Sequence, residues 1–201
     1  MYDYYLSLLD KSEGSYREKG SKFLAYAYPV SLESEVQQHL TDLKKLHHAA
    51  RHHCYAFILK PKEGQEETYR VSDDGEPPHS AGDPILGQIR SHQLQDVLVV
   101  VVRYFGGTKL GVAGLIHAYK TAAADALANN SIVEKYVERT FSVEFTYSVT
   151  SSIMKIIDQY SLAILEQSFT EVCYYRLSAR LRDYETALAE FAELDQVVVK
   201  H

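Results

Sequence analysis

Six consecutive aliphatic residues at positions 97–102, VLVVVV, constrain the fold more than any other part of the sequence. No polar residue alternates with them between positions 96 and 103, so we predict a strand that is buried on both faces. The run is far shorter than the ~20 residues that a membrane-spanning helix needs. Such a strand requires a covering layer on each side, and a chain of 201 residues with 46% hydrophobic composition has the apolar material to supply both.

The patterns around this strand predict a domain in which helices pack on a sheet. The other predicted elements of the first half are two strands over 15–30 joined through Lys19-Gly20, a helix after Ser31 as its cap, a strand over 54–60, a long loop over 61–84, a helix over 85–92 that Asp83 caps and Pro84 opens, and a helix over 112–128.

In the second half, the hydrophobic patterns predict strands and helices in the order βαββαβ. Its predicted elements are a strand over 139–148, a helix capped by Ser151 or Ser152, strands over 162–169 and 171–181, a helix over 184–194 and a strand over 196–200. This order is typical of a ferredoxin-like domain. We therefore predict the α+β class, with one domain over 1–135 and a ferredoxin-like domain over 136–201.

Charge limits the classes of partner. Lys and Arg total 21 and Asp and Glu total 27, which gives a formal net charge of −6. Acidic residues outnumber basic ones in both predicted domains, so the sequence excludes a strong, non-specific grip on nucleic acid. A local exception is predicted where Arg70, Arg103 and Lys109 come together near glycine-rich backbone.

The segment RYFGGTKLGVAG, at 103–114, lies between the buried strand and a helix. Glycines allow a tight turn there, and the free N–H groups of a helix N-terminus can hold an anion. Two interpretations stay open: a site for phosphate or a nucleic-acid backbone, or a closely packed strand-to-helix turn. The segment is not a phosphate-binding Walker A loop, because Val112-Ala113 replaces the required Lys-Ser/Thr. The candidate binding residues are Arg70, Arg103, Tyr104, Gly106, Gly107, Lys109, Gly111 and Gly114.

The segment SDDGEP, at 72–77, places three carboxylates within four residues. Their oxygens suit a hard cation or a general base. Two other interpretations are a solvated acidic turn and a turn whose carboxylate holds Arg103 or a loop amide. We expect this turn to lie close to the glycine-rich segment. The turn consists of Ser72, Asp73, Asp74, Gly75, Glu76 and Pro77.

Histidines cluster before the strand over 54–60, in the order His47, His48, His52, His53, followed by Cys54. His48 and His52 are four residues apart, so zinc ligation is conceivable, but no second Cys/His pair follows at the spacing of a zinc finger. Polar packing at a helix–strand junction is the favoured interpretation. We expect no metal and no cofactor.

Three segments, in this order, resemble the YigZ/IMPACT family: ARHHCYAF at 50–57, SDDGEP with AG.PIL at 72–86, and VVVVRYFGGTKLGVAGLIHAY at 99–119. The earlier EKGSKFLAYAYPV is similar too. His52 and His53 belong to the first motif. The sequence departs from the family pattern at His79-Ser80, where Gly-Thr is usual, and at Ala113-Gly114, where a glycine pair is usual.

The resemblance implies a first domain like the second domain of a small-subunit ribosomal protein and a ferredoxin-like domain like the last domain of elongation factor G. It implies a non-catalytic binding protein linked to translation or its regulation, in contact with RNA, the ribosome or a translation-related protein. The alternative is an enzyme that acts on a phosphorylated small molecule or nucleotide with a carboxylate-bound metal. Two cysteines and the absence of a signal-peptide pattern favour the cytoplasm and no membrane contact.

Overall fold

The structure, a computed structural model, describes residues 3–61 and 66–200. Part of the predicted loop over 61–84, residues 62–65, therefore lies outside the described residues. Two compact units make up the chain: Leu6–Glu134, and a second unit of Lys135–His201 that also takes in residues before Leu6. Within the described ranges, none of the helices is long and apolar enough to cross a membrane.

Most strands of the first unit form one five-stranded sheet in the order β2-β3-β6-β4-β5, in which all neighbours are antiparallel. Strands β1 and β7 form a separate two-stranded sheet. The elements are β1 (Tyr4–Leu8), β2 (Ser12–Glu18), β3 (Ser21–Pro29), α1 (Glu33–Leu46), β4 (His52–Leu59), β5 (Thr68–Ser72), α2 (Gly82–Ser91), β6 (Val97–Tyr104), α3 (Gly111–Ala128) and β7 (Ile132–Tyr136).

Strand β6 is the middle strand of the five, and each of residues 97–102 is 0% exposed. Its alternate side chains enter two cores. Val97, Val99 and Val101 pack with residues of α2 and α3, whereas Leu98, Val100 and Val102 pack with residues of α1. The prediction of a strand buried on both faces is confirmed, and it explains why the sheet carries helices on both sides.

The hairpin between β2 and β3 turns at Lys19 and Gly20, as predicted. Both have positive φ, 45° and 79°, which is the conformation that a two-residue type I′ turn requires. Farther along β2, Gly14 lies so close to α3 that a Cβ atom would sit 2.2 Å from the backbone nitrogen of Ala126. Helix α3 therefore lies directly against β2 because that position has no side chain.

The second unit carries a four-stranded antiparallel sheet in the order β11-β8-β10-β9. This arrangement of a βαββαβ chain confirms the predicted ferredoxin-like domain. Its helices cover a core that contains the aromatic side chains of Phe141, Phe145, Tyr175, Tyr184 and Phe191. The elements are β8 (Glu138–Phe145), a short 3-10 helix (Tyr147–Val149), α4 (Thr150–Tyr160), β9 (Ala163–Phe169), β10 (Cys173–Arg180), α5 (Leu181–Ala192) and β11 (Val197–Lys200).

Several sequence predictions need correction. The loop over 61–84 contains β5, and neither β1 nor β7 was predicted. Ser31 does not cap α1: the N-cap is Leu32, and Glu35 accepts the free N–H groups of both residues. The N-cap of α4 is Val149 rather than Ser151 or Ser152. In both cases the cap was predicted from residue type, and the observed N-cap lies one to three residues away.

Candidate functional site

Asp73, the first carboxylate of the acidic turn, caps the N-terminus of α2. Its Oδ1 accepts hydrogen bonds from the backbone N–H groups of Ala81 and Gly82, and its Oδ2 accepts one from His79, all at 2.9 Å. Burial raises the pKa of this carboxyl, but the three backbone donors lower it more, so the pKa lies below its usual value. The predicted cap, Asp83, is replaced by a residue from the preceding turn, and the helix begins at Gly82.

Asp74 fastens the acidic turn to the start of β4. Its Oδ2 accepts a hydrogen bond from the backbone N–H of His53 at 2.7 Å, and its carbonyl oxygen accepts one from Nδ1 of His52 at 2.9 Å. His53 is 5% exposed, and burial lowers the pKa of its imidazole in spite of the neighbouring Asp74 carboxylate. The imidazole of His52 and the backbone N–H of His53 therefore hold the turn against the sheet, as polar packing at this junction would require.

Glu76 and Arg103 form an ion pair that is almost fully withdrawn from water. Glu76 Oε1 lies 2.6 Å from Nη1 of Arg103, and the two side chains are 5% and 6% exposed. The same Oε1 accepts a 2.8 Å hydrogen bond from the hydroxyl of Tyr119 on α3. The guanidinium also lies over two aromatic rings, 5.4 Å from the centre of Phe23 and 5.5 Å from that of Phe105. The charge of Arg103 is thus balanced inside the protein.

Cys54 extends this network into the core. Its thiol donates to the carbonyl oxygen of Asp73 at 3.0 Å, and its Sγ also lies 3.3 Å from the hydroxyl oxygen of Tyr119. Burial raises the pKa of the Cys54 thiol and that of the Tyr119 hydroxyl. A thiol held in its protonated form is a poor nucleophile, so Cys54 is a packing residue.

The acidic turn is therefore a structural clamp. The interpretation as a solvated turn is wrong, and the alternative in which its carboxylates hold Arg103 and a loop amide is confirmed. Glu76 also ties the turn to β6 and α3, the two elements that the glycine-rich segment joins. Within the described ranges, no three His, Cys, Asp or Glu side chains are grouped as metal ligands. The carboxylates that were candidate cation ligands instead accept hydrogen bonds from the chain itself.

The glycine-rich segment packs against the β2–β3 turn. A Cβ atom on Gly106 would lie 1.9 Å from the carbonyl carbon of Gly20, and the Gly106 N–H donates to Oγ of Ser21 at 3.1 Å. Gly107 and Gly111 have positive φ, 88° and 73°. Glycine is required at 106 by close approach and at the other two by backbone conformation, so the closely packed turn is confirmed. The proposal of an anion site at the same place stays open, because residues 105–109 are exposed.

The predicted grouping of Arg70, Arg103 and Lys109 is wrong. Arg70 lies on β5, at the opposite edge of the sheet from β2, and its guanidinium is 3.8 Å from the Glu33 carboxylate. Arg103 is buried, and Lys109 alone of the three is exposed beside glycine backbone. Tyr104 turns toward α1, where its hydroxyl lies 2.9 Å from Nδ1 of His47. Strand pairing places Arg70 two strands away from β6, so the three cations do not meet beside the glycine backbone.

The cations near the glycine-rich segment come instead from the hairpin. An open concavity of about 380 Å³ is lined by Arg17, Glu18, Lys19, Gly20, Ser21 and Lys22. We call residues 17–22 and 105–109 together the hairpin–glycine surface. Phe105, 56% exposed, is its aromatic member. In the part of the chain that the structure describes, Arg17, Lys19, Lys22 and Lys109 make no ion pair. The sequence signal for Lys19 and Lys22 is the EKGSK segment, whose pattern predicts a hairpin and which also belongs to the family resemblance.

One departure from the family pattern has a clear structural consequence. His79 adopts a φ of 63°, a left-handed conformation that glycine adopts more readily. The hydroxyl of Ser80 is buried and donates to the carbonyl oxygen of Pro77 at 2.6 Å. His79-Ser80 therefore closes the acidic turn on itself, with the His79 imidazole 2.5 Å from the Asp83 carboxylate.

Comparisons with known proteins agree with the sequence motifs. The family model of the Impact N-terminal domain matches residues 19–127. An IMPACT family member of Haemophilus influenzae is 32% identical over 92% of this chain and 91% of its own length, and IMPACT family member YvyE of Bacillus subtilis is 30% identical over 83% of this chain and 76% of its own.

A solved structure described as that of a hypothetical protein superposes with a TM-score of 0.75 at 23% identity, and the match covers 100% of this chain and 98% of the other. It shows that the fold of both units is shared with a known structure. The family match and the two relatives allow one conclusion about identity: this chain belongs to the IMPACT family.

Proposed function

We propose that this chain is a non-catalytic binding protein of translation or its regulation, and that its first unit contacts RNA through the hairpin–glycine surface. The observation that supports this proposal is the composition of that surface. Three of its cations, Arg17, Lys19 and Lys22, lie on the hairpin that Gly106 contacts, and the exposed segment 105–109 adds Lys109, glycine backbone and the ring of Phe105.

Single-stranded RNA is bound in this way by many proteins. Lys and Arg neutralise phosphates, exposed backbone N–H groups approach the sugar-phosphate chain closely, and an aromatic ring stacks on a base. The surface also fits the net charge of −6, because its cations are concentrated at one hairpin while the excess of acids is spread over both units. Binding is then local and dependent on shape.

The polar residues of the acidic turn argue against the enzyme alternative. Glu76 is neutralised by Arg103, Asp73 is used as a helix cap, and Asp74 is bonded to the start of β4. Each of the three carboxylates already accepts at least one hydrogen bond from the chain itself. A general base or a metal ligand would have to be released from these bonds first, at a cost of about 3–5 kcal/mol for the buried ion pair.

The link to translation comes from family membership, because the family's folds recur in proteins that work with the ribosome and its eukaryotic relatives regulate translation. Location in the cytoplasm is part of the same proposal. A translation-related protein as the partner of the same surface is the competing outcome, which the experiment must distinguish.

The test is fluorescence anisotropy of a labelled single-stranded RNA, and of purified ribosomal subunits, titrated with the full chain at several salt concentrations. We expect Lys19→Ala and Lys109→Ala each to reduce the slope of log K against log salt by about 0.7. Phe105→Ala should weaken binding by ~1–3 kcal/mol with an unchanged salt slope. The matched control is Lys155→Ala, an exposed lysine on α4 of the second unit.

The proposal fails if no binding is detected at low salt, or if Lys155→Ala reduces binding as much as Lys109→Ala. Retrieval of a translation factor, without RNA, by wild type but not by Phe105→Ala would assign the surface to a protein partner instead.

A further inference from the structure

Basic residues cluster where α1 ends and β4 begins, on the side of the first-unit sheet that α1 covers. We call residues 44–51, KKLHHAAR, the α1 end. Its exposed basic residues are Lys44, Lys45, His48 and Arg51. In the part of the chain that the structure describes, Lys44 and Arg51 make no ion pair. The first unit therefore carries a second group of cations, outside the hairpin–glycine surface.

Strand pairing connects the α1 end to the hairpin. Arg17 pairs with Lys22 across the β2–β3 hairpin, and Lys22 pairs with Tyr104 on β6. Arg51 immediately precedes β4, whose first residue pairs with Arg103, so Arg51 lies next to Tyr104 at the same end of the sheet. These positions form one row across β2, β3, β6 and β4, with a cation on three of the four strands. Neighbouring strands are about 4.8 Å apart, so three spacings give a row of about 14 Å.

Side-chain hydrogen bonds hold the α1 end against this row. Both ring nitrogens of His47 take part: Nδ1 lies 2.9 Å from the Tyr104 hydroxyl, and Nε2 lies 2.7 Å from the Tyr26 hydroxyl. Burial lowers the pKa of the His47 imidazole, Glu13 raises it, and the nearby charge of Lys22 lowers it further. The cations of the hairpin and those of the α1 end therefore lie side by side on one face.

Two acids on this side of the sheet are already balanced. The Glu13 carboxylate is 2.6 Å from Nζ of Lys11, and the Asp42 carboxylate is 3.7 Å from Nζ of Lys45. Each of these lysines accounts for one acid. The three cations of the row, together with Lys44, therefore keep their charges for an anionic ligand.

We propose that RNA bound at the hairpin–glycine surface continues along this row to the α1 end. One extended single strand then contacts Phe105 and Lys109 at one end of its path, and Arg51 and Lys44 at the other. The inference rests on the proposed function and adds the path of the strand over the protein. A line of cations that follows the nucleic-acid backbone, with an aromatic ring for a base, is the usual arrangement in proteins that bind single strands.

The first test is the salt dependence of binding between the full chain and a labelled oligouridylate of ~12 nucleotides, measured by fluorescence anisotropy. We expect Lys44→Ala and Arg51→Ala each to reduce the slope of log K against log salt by about 0.7, because each removes one phosphate contact. The matched control is Lys120→Ala, an exposed lysine of α3 on the other side of the same sheet, which should leave the slope unchanged. Far-UV circular dichroism checks that each variant is folded.

The second test asks whether one strand occupies both places. His48→Cys, labelled with benzophenone maleimide, puts a photo-cross-linker on the α1 end, and Lys120→Cys is its control. The native Cys54 and Cys173 are buried in both variants. We expect RNA cross-links from position 48 only, and we expect Lys109→Ala to reduce their yield at sub-saturating RNA, because loss of a contact at one end of a shared strand lowers its occupancy at the other.

The outcomes separate the path from the function on which it rests. If wild type binds RNA and Lys109→Ala lowers the salt slope, while Lys44→Ala and Arg51→Ala behave like Lys120→Ala, the path is overturned and the proposed function stands. Cross-linking at position 48 that does not respond to Lys109→Ala also overturns the path, because the α1 end is then a separate site. A wild-type chain that binds no RNA at low salt overturns both.

Discussion

Replacement of Glu76 by glutamine removes one charge from a buried ion pair and nearly preserves its shape. At an effective dielectric constant of about 20, unit charges 2.6 Å apart attract each other by about 6 kcal/mol. Glutamine loses this attraction, while Arg103 still pays the desolvation of a side chain that is 6% exposed. We therefore expect Glu76→Gln to lower the free energy of unfolding of the first unit by about 3–5 kcal/mol.

Urea titration of the full chain, read by hydrogen exchange of β6 amides, measures this loss in the first unit alone. That readout matters because two units need not unfold as one cooperative system. The control is Glu13→Gln in the same unit, which removes the ion pair with Lys11, also 2.6 Å long, whose glutamate is 60% exposed. Exposed pairs contribute about 0–1 kcal/mol, so the control should change little.

A double variant tests the cause of the loss. Glu76→Gln combined with Arg103→Met removes the uncompensated charge, so it should be more stable than Glu76→Gln alone. If Glu76→Gln costs no more than Glu13→Gln, the pair is effectively solvated and the description of the acidic turn as a buried clamp is refuted.

Three further predictions concern single features of the first unit. Gly106→Ala should prevent the close approach of the glycine-rich segment to the hairpin and destabilise the first unit by several kcal/mol. Gly87→Ala, where nothing lies within 4 Å of the added Cβ, should stabilise it slightly, and thermal melts of the two variants measure the difference. Burial lowers the pKa of His53 below 6.5, so the unfolded chain takes up the proton at a higher pH than the folded chain does. The urea midpoint should therefore fall as the pH drops from 6.5 through the folded pKa, and His53→Gln should flatten this dependence. Asp73→Ala should cost about 1–2 kcal/mol and speed exchange of the first amides of α2; unchanged exchange would contradict the capping role.

Much of the fold follows from local patterns. The run at 97–102 determines a central strand because six aliphatic side chains in succession leave neither face for water. Lys19-Gly20 determines a hairpin because glycine tolerates positive φ. The ferredoxin-like order follows from the alternation of periods along the second half. Each of these signals lies within one or two elements, where sequence neighbours are also neighbours in space.

The site depends on pairings that sequence order conceals. Arg103 and Lys109 are close in sequence, yet one is buried against Glu76, 27 residues away, and the other is exposed. Gly106 meets Gly20 across the β3–β6 pairing, which brings the hairpin cations to the glycine-rich segment. Strand β9 has the composition of an ordinary strand, and only its place at the sheet edge exposes it.

The sequence by itself therefore determined most of the elements, the two-part architecture and the family, whereas β1, β5 and β7 became visible only in the structure. Tertiary structure decided which charges are buried, which cations are available to a ligand and which strand edge is open. The physical reason is that backbone conformation and hydrophobic period are local properties, whereas burial and charge pairing depend on strands that meet after long intervals of chain.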